Sequence, residues 1–247
     1  MVGVKAICLL GWVLVIISPV LPSANLWADR PLWPPAVALQ ARNLRDRADM
    51  KGLTQLIIAI KNEASPSANP ATLALLEDWL CEAAYAHKEE KLVHQAADAG
   101  VRDAEEALVS NPDAAWGHWL LGDLLGKKIP GTFLGGLRYG PRSVRELETA
   151  MKLDPSSANA FISRAIAYYM TPRLFGGDKQ KAIALMKKAA HLDPAPDSLD
   201  TVHIWLALAY DAENNQVEAK RQITLARRLN PDRLFGQQVY DRIMNHD

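Results

Sequence analysis

The stretch "LALAYDAENNQVEAKRQITLARRLNP", Leu206 to Pro231, decides the fold. In its second half Ala219 is followed by Ile223 four residues later, by Ala226 three residues after that, and by Pro231 after five more. Steps of four and three keep side chains on one face of a helix, and small residues there let a neighbouring helix approach closely. Proline cannot continue a helix and pushes the preceding residue out of helical geometry. The stretch therefore predicts a helix that packs through one face and stops just before Pro231.

The same spacing occurs three more times upstream. The sets are Gly100-Ala104-Ala107-Pro112, Ser143-Leu147-Ala150-Pro155 and Ala182-Met186-Ala189-Pro194. Each of the four prolines follows an Asn or Asp, residue types that suit the turn after a helix: Asn111, Asp154, Asp193 and Asn230. Each set therefore predicts the second helix of a pair together with its stop signal.

Matching first helices lie between these sets. The segments carry large apolar residues at three- and four-residue steps, and each opens on a Ser or Asp that we predict to be the N-cap. They run from Asp113 to Leu125, from Ser156 to Tyr169 and from Ser198 to Tyr210.

Paired helices with these features resemble the tetratricopeptide repeat (TPR) family. In the last unit the family's signature positions are occupied by Leu206, Ala207, Tyr210, Ala219, Ile223, Ala226 and Pro231. In the unit that opens at Asp113, Trp116 takes the tryptophan position, while Trp119 stands where leucine is usual. The resemblance implies an all-α fold, a right-handed α-solenoid of about four to five helix-turn-helix pairs.

The repeats are longer than the family period of about 34 residues. The prolines at 112, 155, 194 and 231 are 43, 39 and 37 residues apart. We expect the surplus to enlarge the turn within two units, at "TFLGGLRYGPRS" (Thr132 to Ser143) and "TPRLFGGD" (Thr171 to Asp178), and to precede the first helix of the last unit at 195–197. Both Gly-Gly segments would then lie on one edge of the solenoid.

The predicted domain organisation has two parts. Residues 1–28 contain one charge, Lys5, and an apolar run from Ala6 to Pro22, which is typical of a secretory signal peptide with Ala24 or Ala28 as cleavage sites. We therefore expect an exported chain, periplasmic or secreted, that is anchored in the membrane if the segment is retained. A helical repeat domain over 29–247 follows, with degenerate pairs at 35–112, TPR-like repeats at 113–155, 156–194 and 195–231, and a capping helix at 232–246.

Composition narrows the function. The formal net charge is zero, so no global field favours nucleic acid. Removal of residues 1–28 leaves a single cysteine, Cys81, which cannot form an internal disulfide and which we expect to be a buried small apolar residue.

No motif indicates catalysis, a metal or a cofactor. His94 and Asp98 are four residues apart, but no third ligand is spaced to join them, and HExxH and CxxC are absent. Gly131 and Gly136 resemble the glycines of a phosphate loop, but the following Lys is missing. We expect a protein that is not an enzyme, with no cofactor and no metal.

Two groups of residues are candidates for binding a partner. The first insert holds Lys127, Lys128, Phe133, Arg138, Tyr139 and Arg142 without an acid, which would suit an acidic partner or a carboxylate ligand; alternatively its side chains cover the helix ends. The inner face of the solenoid, formed by first helices, would offer aromatic side chains. The candidate partner-binding residues are Trp116, Trp119, Tyr139, Arg142, Tyr168, Tyr169, Arg173, Phe175 and Trp205.

The segment "YYMTPRLFGGDKQKA", Tyr168 to Ala182, is similar to two groups of TPR proteins. One group is the exported T-component proteins of TRAP transporters, and the other is the regulators of microtubule dynamics. The first resemblance implies a periplasmic accessory protein of solute uptake that binds a small apolar ligand. Our leading hypothesis is an exported, non-catalytic scaffold that binds proteins of the cell envelope, and the solute-uptake protein is the alternative.

Overall fold

The computed structural model describes residues 35–62, 69–131, 134–192 and 194–245. Within these ranges the chain forms α-helices and no strand, which confirms the all-α prediction. The helices are α1 (Pro35–Asp46), α2 (Met50–Asn62), α3 (Pro70–Ala86), α4 (Glu90–Ser110), α5 (Ala115–Lys127), α6 (Gly135–Leu153), α7 (Ala158–Met170), α8 (Lys179–His191), α9 (Pro196–Ala212), α10 (Gln216–Leu229) and α11 (Leu234–Met244), with a 3-10 turn at Arg173–Phe175. The predicted signal segment lies outside the described residues.

The helices stack as five consecutive pairs followed by α11, as expected for an α-solenoid. Each helix packs on its pair partner and on the first helix of the next pair. First helices also pack on the first helices of neighbouring pairs, from α1 on α3 through to α9 on α11. In the described chain, consecutive second helices do not pack on one another to a comparable extent. The first helices therefore form the inner face.

The repeated small residues make this stacking possible. In each of the four sets, the three residues before the proline lie on a second helix. All of them are buried except Ala107, which is half-buried. A Cβ added to Gly100 would lie 2.8 Å from a methyl carbon of Leu124 on α5, and one added to Gly122 would lie 2.7 Å from Cγ of Leu147 on α6. Helices that approach this closely leave no room for a side chain on the facing residue.

The predicted stop signals are also confirmed. The second helices α4, α6 and α10 end immediately before Asn111, Asp154 and Asn230, which adopt extended or other non-helical backbone conformations before their prolines. The fourth of these positions, 193, lies outside the described residues.

Two of the turns within pairs are enlarged, as predicted. The turns of the other pairs span three residues, at 47–49, 87–89 and 213–215, whereas those at 128–134 and 171–178 span seven and eight. In the first of them the predicted extent is wrong, because Gly135 and Gly136 begin α6 and Pro141 lies inside that helix. Likewise α9 begins at Pro196, so part of the expected surplus at 195–197 is helical; proline is well suited to a first helical position.

The predicted N-caps of the first helices are wrong. The residues before α5, α7 and α9 make no side-chain capping bond. Side-chain caps occur elsewhere: Asn69 accepts from the Thr72 amide at 2.8 Å, and Asp178 and Asn215 cap α8 and α10. Asp113 and Ser156 each lie one residue before the N-cap position, and Ser198 lies inside the first turn of α9.

The core runs along the stack as three adjoining apolar clusters, the first over α1 to α6, the second over α7 to α9 and the third over α9 to α11. Cys81 is buried in the first, as predicted, and its thiol donates to the Val93 carbonyl at 3.4 Å. Burial raises the pKa of this thiol well above its ordinary value. None of the helices in the described ranges has the length and apolar character needed to cross a membrane.

We predict that Gly122→Ala lowers the free energy of unfolding by about 1–3 kcal/mol, because the added methyl group meets Leu147 where two helices touch. The matched control is Gly136→Ala in the first turn of α6, where an added Cβ meets nothing within 4 Å. That change should be neutral or stabilise by up to about 1 kcal/mol through helix propensity. Urea titration followed by circular dichroism measures both, and equal midpoints for the two variants would contradict the close-approach argument.

Candidate functional site

The C-terminal helix folds back onto the first pairs of the solenoid. Arg233, the residue before α11, is 5% exposed, and its guanidinium lies 2.9 Å from Glu82 of α3, 3.6 Å from Asp46 of α1 and 3.8 Å from Asp200 of α9. Three carboxylates from three different pairs therefore converge on Arg233, and one of them, Asp46, is also bonded by the buried Arg45 at 2.7 Å. The ion cluster joins the two ends of the stack.

Further contacts extend this closure along α11. The side-chain amide of Gln238 donates to the Ala86 carbonyl at 3.0 Å, and Leu234 packs against the first core cluster. The ring of Phe235 lies 6.5 Å from that of Tyr85 on α3 and 5.7 Å from that of Trp205 on α9, measured between centroids. The capping helix that the sequence predicts thus also closes the inner face, which the sequence did not predict.

The closed inner face surrounds a cavity of about 1830 Å³ that continues outward to the edge formed by the enlarged turns. Aromatic side chains from α3, α5, α9 and α11 line its inner part, which we call the chamber. They are Trp79, Tyr85, Trp116, Trp119, Trp205 and Phe235. An aromatic wall of this kind offers large, rigid contact area to an apolar or aromatic group.

A second component of the chamber wall is ionic. The ammonium group of Lys127, at the end of α5, lies 2.8 Å from Asp123 one turn earlier and 2.5 Å from Asp78 on α3. Glu82 lies 3.9 Å from the same ammonium and also bonds Arg233, so it links the two ion clusters.

Burial and pairing distribute the charge in this cluster. Burial alone would lower the pKa of Lys127, but Asp123 and Asp78 raise it well above its ordinary value. Burial raises the pKa of Asp78 well above its ordinary range, with Lys127 opposing the rise. For Asp123 burial also raises the pKa, but the attraction of Lys127 outweighs it and the net shift is downward. The ammonium is therefore held by carboxylates from two helices, Asp123 on α5 and Asp78 on α3.

The inner-face candidates occupy different environments. Trp116 and Trp205 are half-buried and line the chamber. Tyr169 packs edge-on against Trp205 at 5.6 Å, whereas Tyr168 lies beneath Arg164 at 3.8 Å. Trp119 is 7% exposed, and its indole N–H donates to Ser163 at 2.8 Å, so its packing is that of a core residue.

The remaining candidates lie at the outer edge. Tyr139 is half-buried, with the ammonium of Lys128 4.5 Å from its ring. Arg142 pairs with Glu105 at 2.6 Å. Arg173 and Phe175 are exposed in the 3-10 turn. The structure therefore spreads the nine candidates over the chamber, the core and the outer edge and does not join them in one site.

The first insert is less positive than its sequence suggests. Lys127 and Lys128 pair with Asp78 and Asp98, and Arg142 pairs with Glu105, all carboxylates from other helices. Phe133 lies outside the described residues. Of the basic residues proposed for this insert, Arg138 is the one that forms no ion pair within the described chain.

Sequence reasoning missed two features. The ionic wall brings Asp78 together with Lys127, residues 49 apart, and its only local signal is the four-residue step from Asp123 to Lys127. The second feature is that Phe175, already a candidate, is joined near the enlarged turns by four further exposed large apolar side chains: Leu134, Leu137, Met170 and Leu174. The sequence does show these apolar residues, but they lie within or beside the two segments that we interpreted as enlarged turns.

Fold and site together define the class: a TPR-like α-solenoid whose inner face is closed by its last helix. Among solved structures, the chain is similar to the crystal structure of a thermophilic TPR protein from Thermus thermophilus, with a TM-score of 0.55 and 19% sequence identity over 85% of this chain and 95% of that chain. At this identity the likeness concerns the fold alone. No protein-family model matches the chain, and no curated protein matches it.

We predict that Arg233→Met lowers the free energy of unfolding by about 3–5 kcal/mol, because Glu82 and Asp200 lose a largely buried cation, while Asp46 keeps its pair with Arg45. The same variant should also show faster hydrogen exchange at the backbone amides of α11. The matched control is Arg242→Met, which removes the half-exposed pair with Asp211 and should cost at most about 1 kcal/mol. Equal stability of the two variants, with α11 still protected in both, would contradict a closure held by Arg233.

Proposed function

We propose that this chain is an exported, non-catalytic scaffold that binds protein partners in the cell envelope. The TPR-like fold supports a role in protein interaction, since helical solenoids present extended surfaces to partners. The amino-terminal sequence supports export, with one charge before a long apolar run and small residues after it.

The aromatic wall of the chamber is the observation that carries this proposal. Tyr85 is 49% exposed, and Trp116 and Trp205 are half-buried although they lie on the inner helices. Aromatic side chains that are partly exposed on a rigid frame are characteristic anchors of protein interfaces. The acids of the chamber that lie near one another are engaged by Lys127 or Arg233, an arrangement that supports binding rather than proton transfer.

A second candidate function is the binding of a small apolar ligand, as the resemblance to T-component proteins of TRAP transporters implies. The contacts of α11 with α3 favour it, because they narrow the aromatic cavity, and a concave cavity with aromatic walls suits a small molecule. The indole N–H of Trp116 is also buried and has no hydrogen-bond partner in the described chain. A ligand retained through purification and detected by native mass spectrometry would favour this candidate over the scaffold.

We predict that the mature chain, used as bait in an envelope extract, recovers partner proteins and that Tyr85→Ser reduces their recovery. The reason is that Tyr85 is an exposed aromatic side chain of the chamber wall. The matched control is Tyr240→Ser on α11, where Tyr240 lies against Arg227 and does not line the cavity. Quantitative mass spectrometry compares the recovered proteins, and undiminished recovery by folded Tyr85→Ser would count against the chamber as the binding surface.

We predict that the amino-terminal segment directs export and is removed. Amino-terminal sequencing of the protein from its native envelope fraction should begin after Ala24 or Ala28. Val15→Arg places a charge in the middle of the apolar run and should leave the chain uncleaved in the cytoplasm. The control Lys88→Arg preserves charge at an exposed position and should not alter export. Cytoplasmic recovery of the unaltered chain would refute the proposed location.

A further inference from the structure

The two second helices α6 and α8 differ in length. Helix α6 has 19 residues and α8 has 13, so at 1.5 Å per residue α6 is longer by roughly 9 Å. The longer helix reaches to the enlarged turn that precedes it, and the shorter one begins only after the turn at 171–178. The additional residues lie at the start of α6, where α8 has no helical counterpart.

A groove results at this edge. Helices α6 and α7 are consecutive, and their facing ends are Leu153 and Ala158. Both helices rise equally per residue, so residues at equal distances in sequence from Leu153 and Ala158 lie opposite each other. Val144 therefore lies opposite Ala167, and Leu137 lies opposite the 3-10 turn. These residues line the outer part of the cavity, with Leu137, Pro141 and Val144 on one wall and Ala167, Met170 and Phe175 on the other. We call this part the edge groove.

The edge groove is apolar and exposed. Leu137 is 71% exposed, Phe175 69% and Leu174, next to it, 88%. Leu134 and Met170 add two more exposed side chains at the same edge. A contiguous group of this kind is uncommon on a monomeric surface and marks an interaction site.

The rim of the edge groove is positive. Arg138 and Arg145 are seven residues apart on α6 and so share a face beside the apolar row, while Arg173 lies in the opposite wall's turn. All three are exposed, and none forms an ion pair with a carboxylate of the described chain. This contrasts with Lys128 and Arg142 nearby, which are already paired.

We infer that the edge groove binds an amphipathic helix of a partner protein, with an apolar face flanked by carboxylates. This inference rests on the proposed scaffold function and names the partner's chemistry. The apolar row from Leu137 to Val144 spans about two turns and would receive side chains at three- and four-residue steps. Carboxylates on the flanks of that helix would meet Arg138, Arg145 and Arg173.

The shape of the edge groove favours a helix over a lipid surface. Its lining includes the small residues Gly140 on α6 and Ala167 on α7 among larger side chains. A flat bilayer would touch Leu174 and the other protruding side chains but would not enter a recess between the two walls. A helix can enter the groove and contact both walls.

The experiment selects peptides on the full mature chain from a displayed library of helices about four turns long, roughly 14 residues. An apolar face is kept in the library, and Glu, Gln and Lys are offered equally on both flanks. We expect enrichment of Glu. The most enriched peptide, labelled with fluorescein, should bind with an affinity that Leu137→Asp and Phe175→Asp each weaken at least about tenfold and that Arg145→Glu weakens at least about threefold, in fluorescence polarisation.

The matched control is Val217→Asp on α10, where the replaced side chain is as exposed but far along the stack, and binding should be unchanged. Circular dichroism verifies that each variant is folded. No enrichment, enrichment of Gln or Lys, or equal binding by Leu137→Asp would overturn the inference. A different result would also overturn it: the library yields no binder, the chain sediments with phosphatidylcholine–phosphatidylglycerol vesicles, and Phe175→Asp abolishes that sedimentation. The occupant of the edge groove would then be a lipid surface. If Tyr85→Ser still loses envelope partners while no peptide binds, the scaffold function stands and the edge groove alone is refuted.

Discussion

The architecture depends on one largely buried guanidinium, that of Arg233. A cation that is removed from water is tolerated only where carboxylates replace its hydration, and here the carboxylates come from α1, α3 and α9. Glu82 is separated from Arg233 by 151 residues of sequence. A stack of helix pairs in which each contacts only its neighbours would not fix the distance between its ends. This ion cluster fixes it and turns an open curved stack into an enclosed one.

Closure determines which surfaces remain for partners. The chamber keeps its aromatic wall, but α11 limits the size of what can enter. At the outer edge the enlarged turns and the start of α6 expose apolar side chains and arginines that form no ion pair within the described chain. The cavity therefore has two parts that differ in character, the chamber with its aromatic and ionic wall and the edge groove with its exposed apolar side chains. This separation explains why the nine residues proposed from sequence do not form a single site.

The sequence was informative wherever the determining contacts recur between adjacent repeats. Three features were enough to place four second helices: a small residue, an apolar residue four positions later, and a proline after an Asn or Asp. Each of these features acts locally or on the next helix. The closure could not be predicted, since it depends on the rotation accumulated over five pairs. Trp119 shows the same limit within a helix: its spacing fits an inner-face residue, but a bond to Ser163 on the next first helix holds it in the core. Gly135 and Gly136 were assigned to a turn because glycine favours turns, whereas in the structure they are the first two residues of α6.

The exposed edge follows from the same helix extension. If the residues 135–142 had formed a compact turn, their apolar side chains would have covered the ends of α5 and α6, as large loops commonly do. As the first turns of a helix, they are held in a straight row with Leu137 and Val144 on one side. Pro141 has no N–H to donate to the Leu137 carbonyl one turn earlier. The Leu137 carbonyl therefore does not accept the usual hydrogen bond of an α-helix. A row of apolar side chains, with such an acceptor and a positive rim, is a surface whose exposure costs stability and is best accounted for by a partner that covers it.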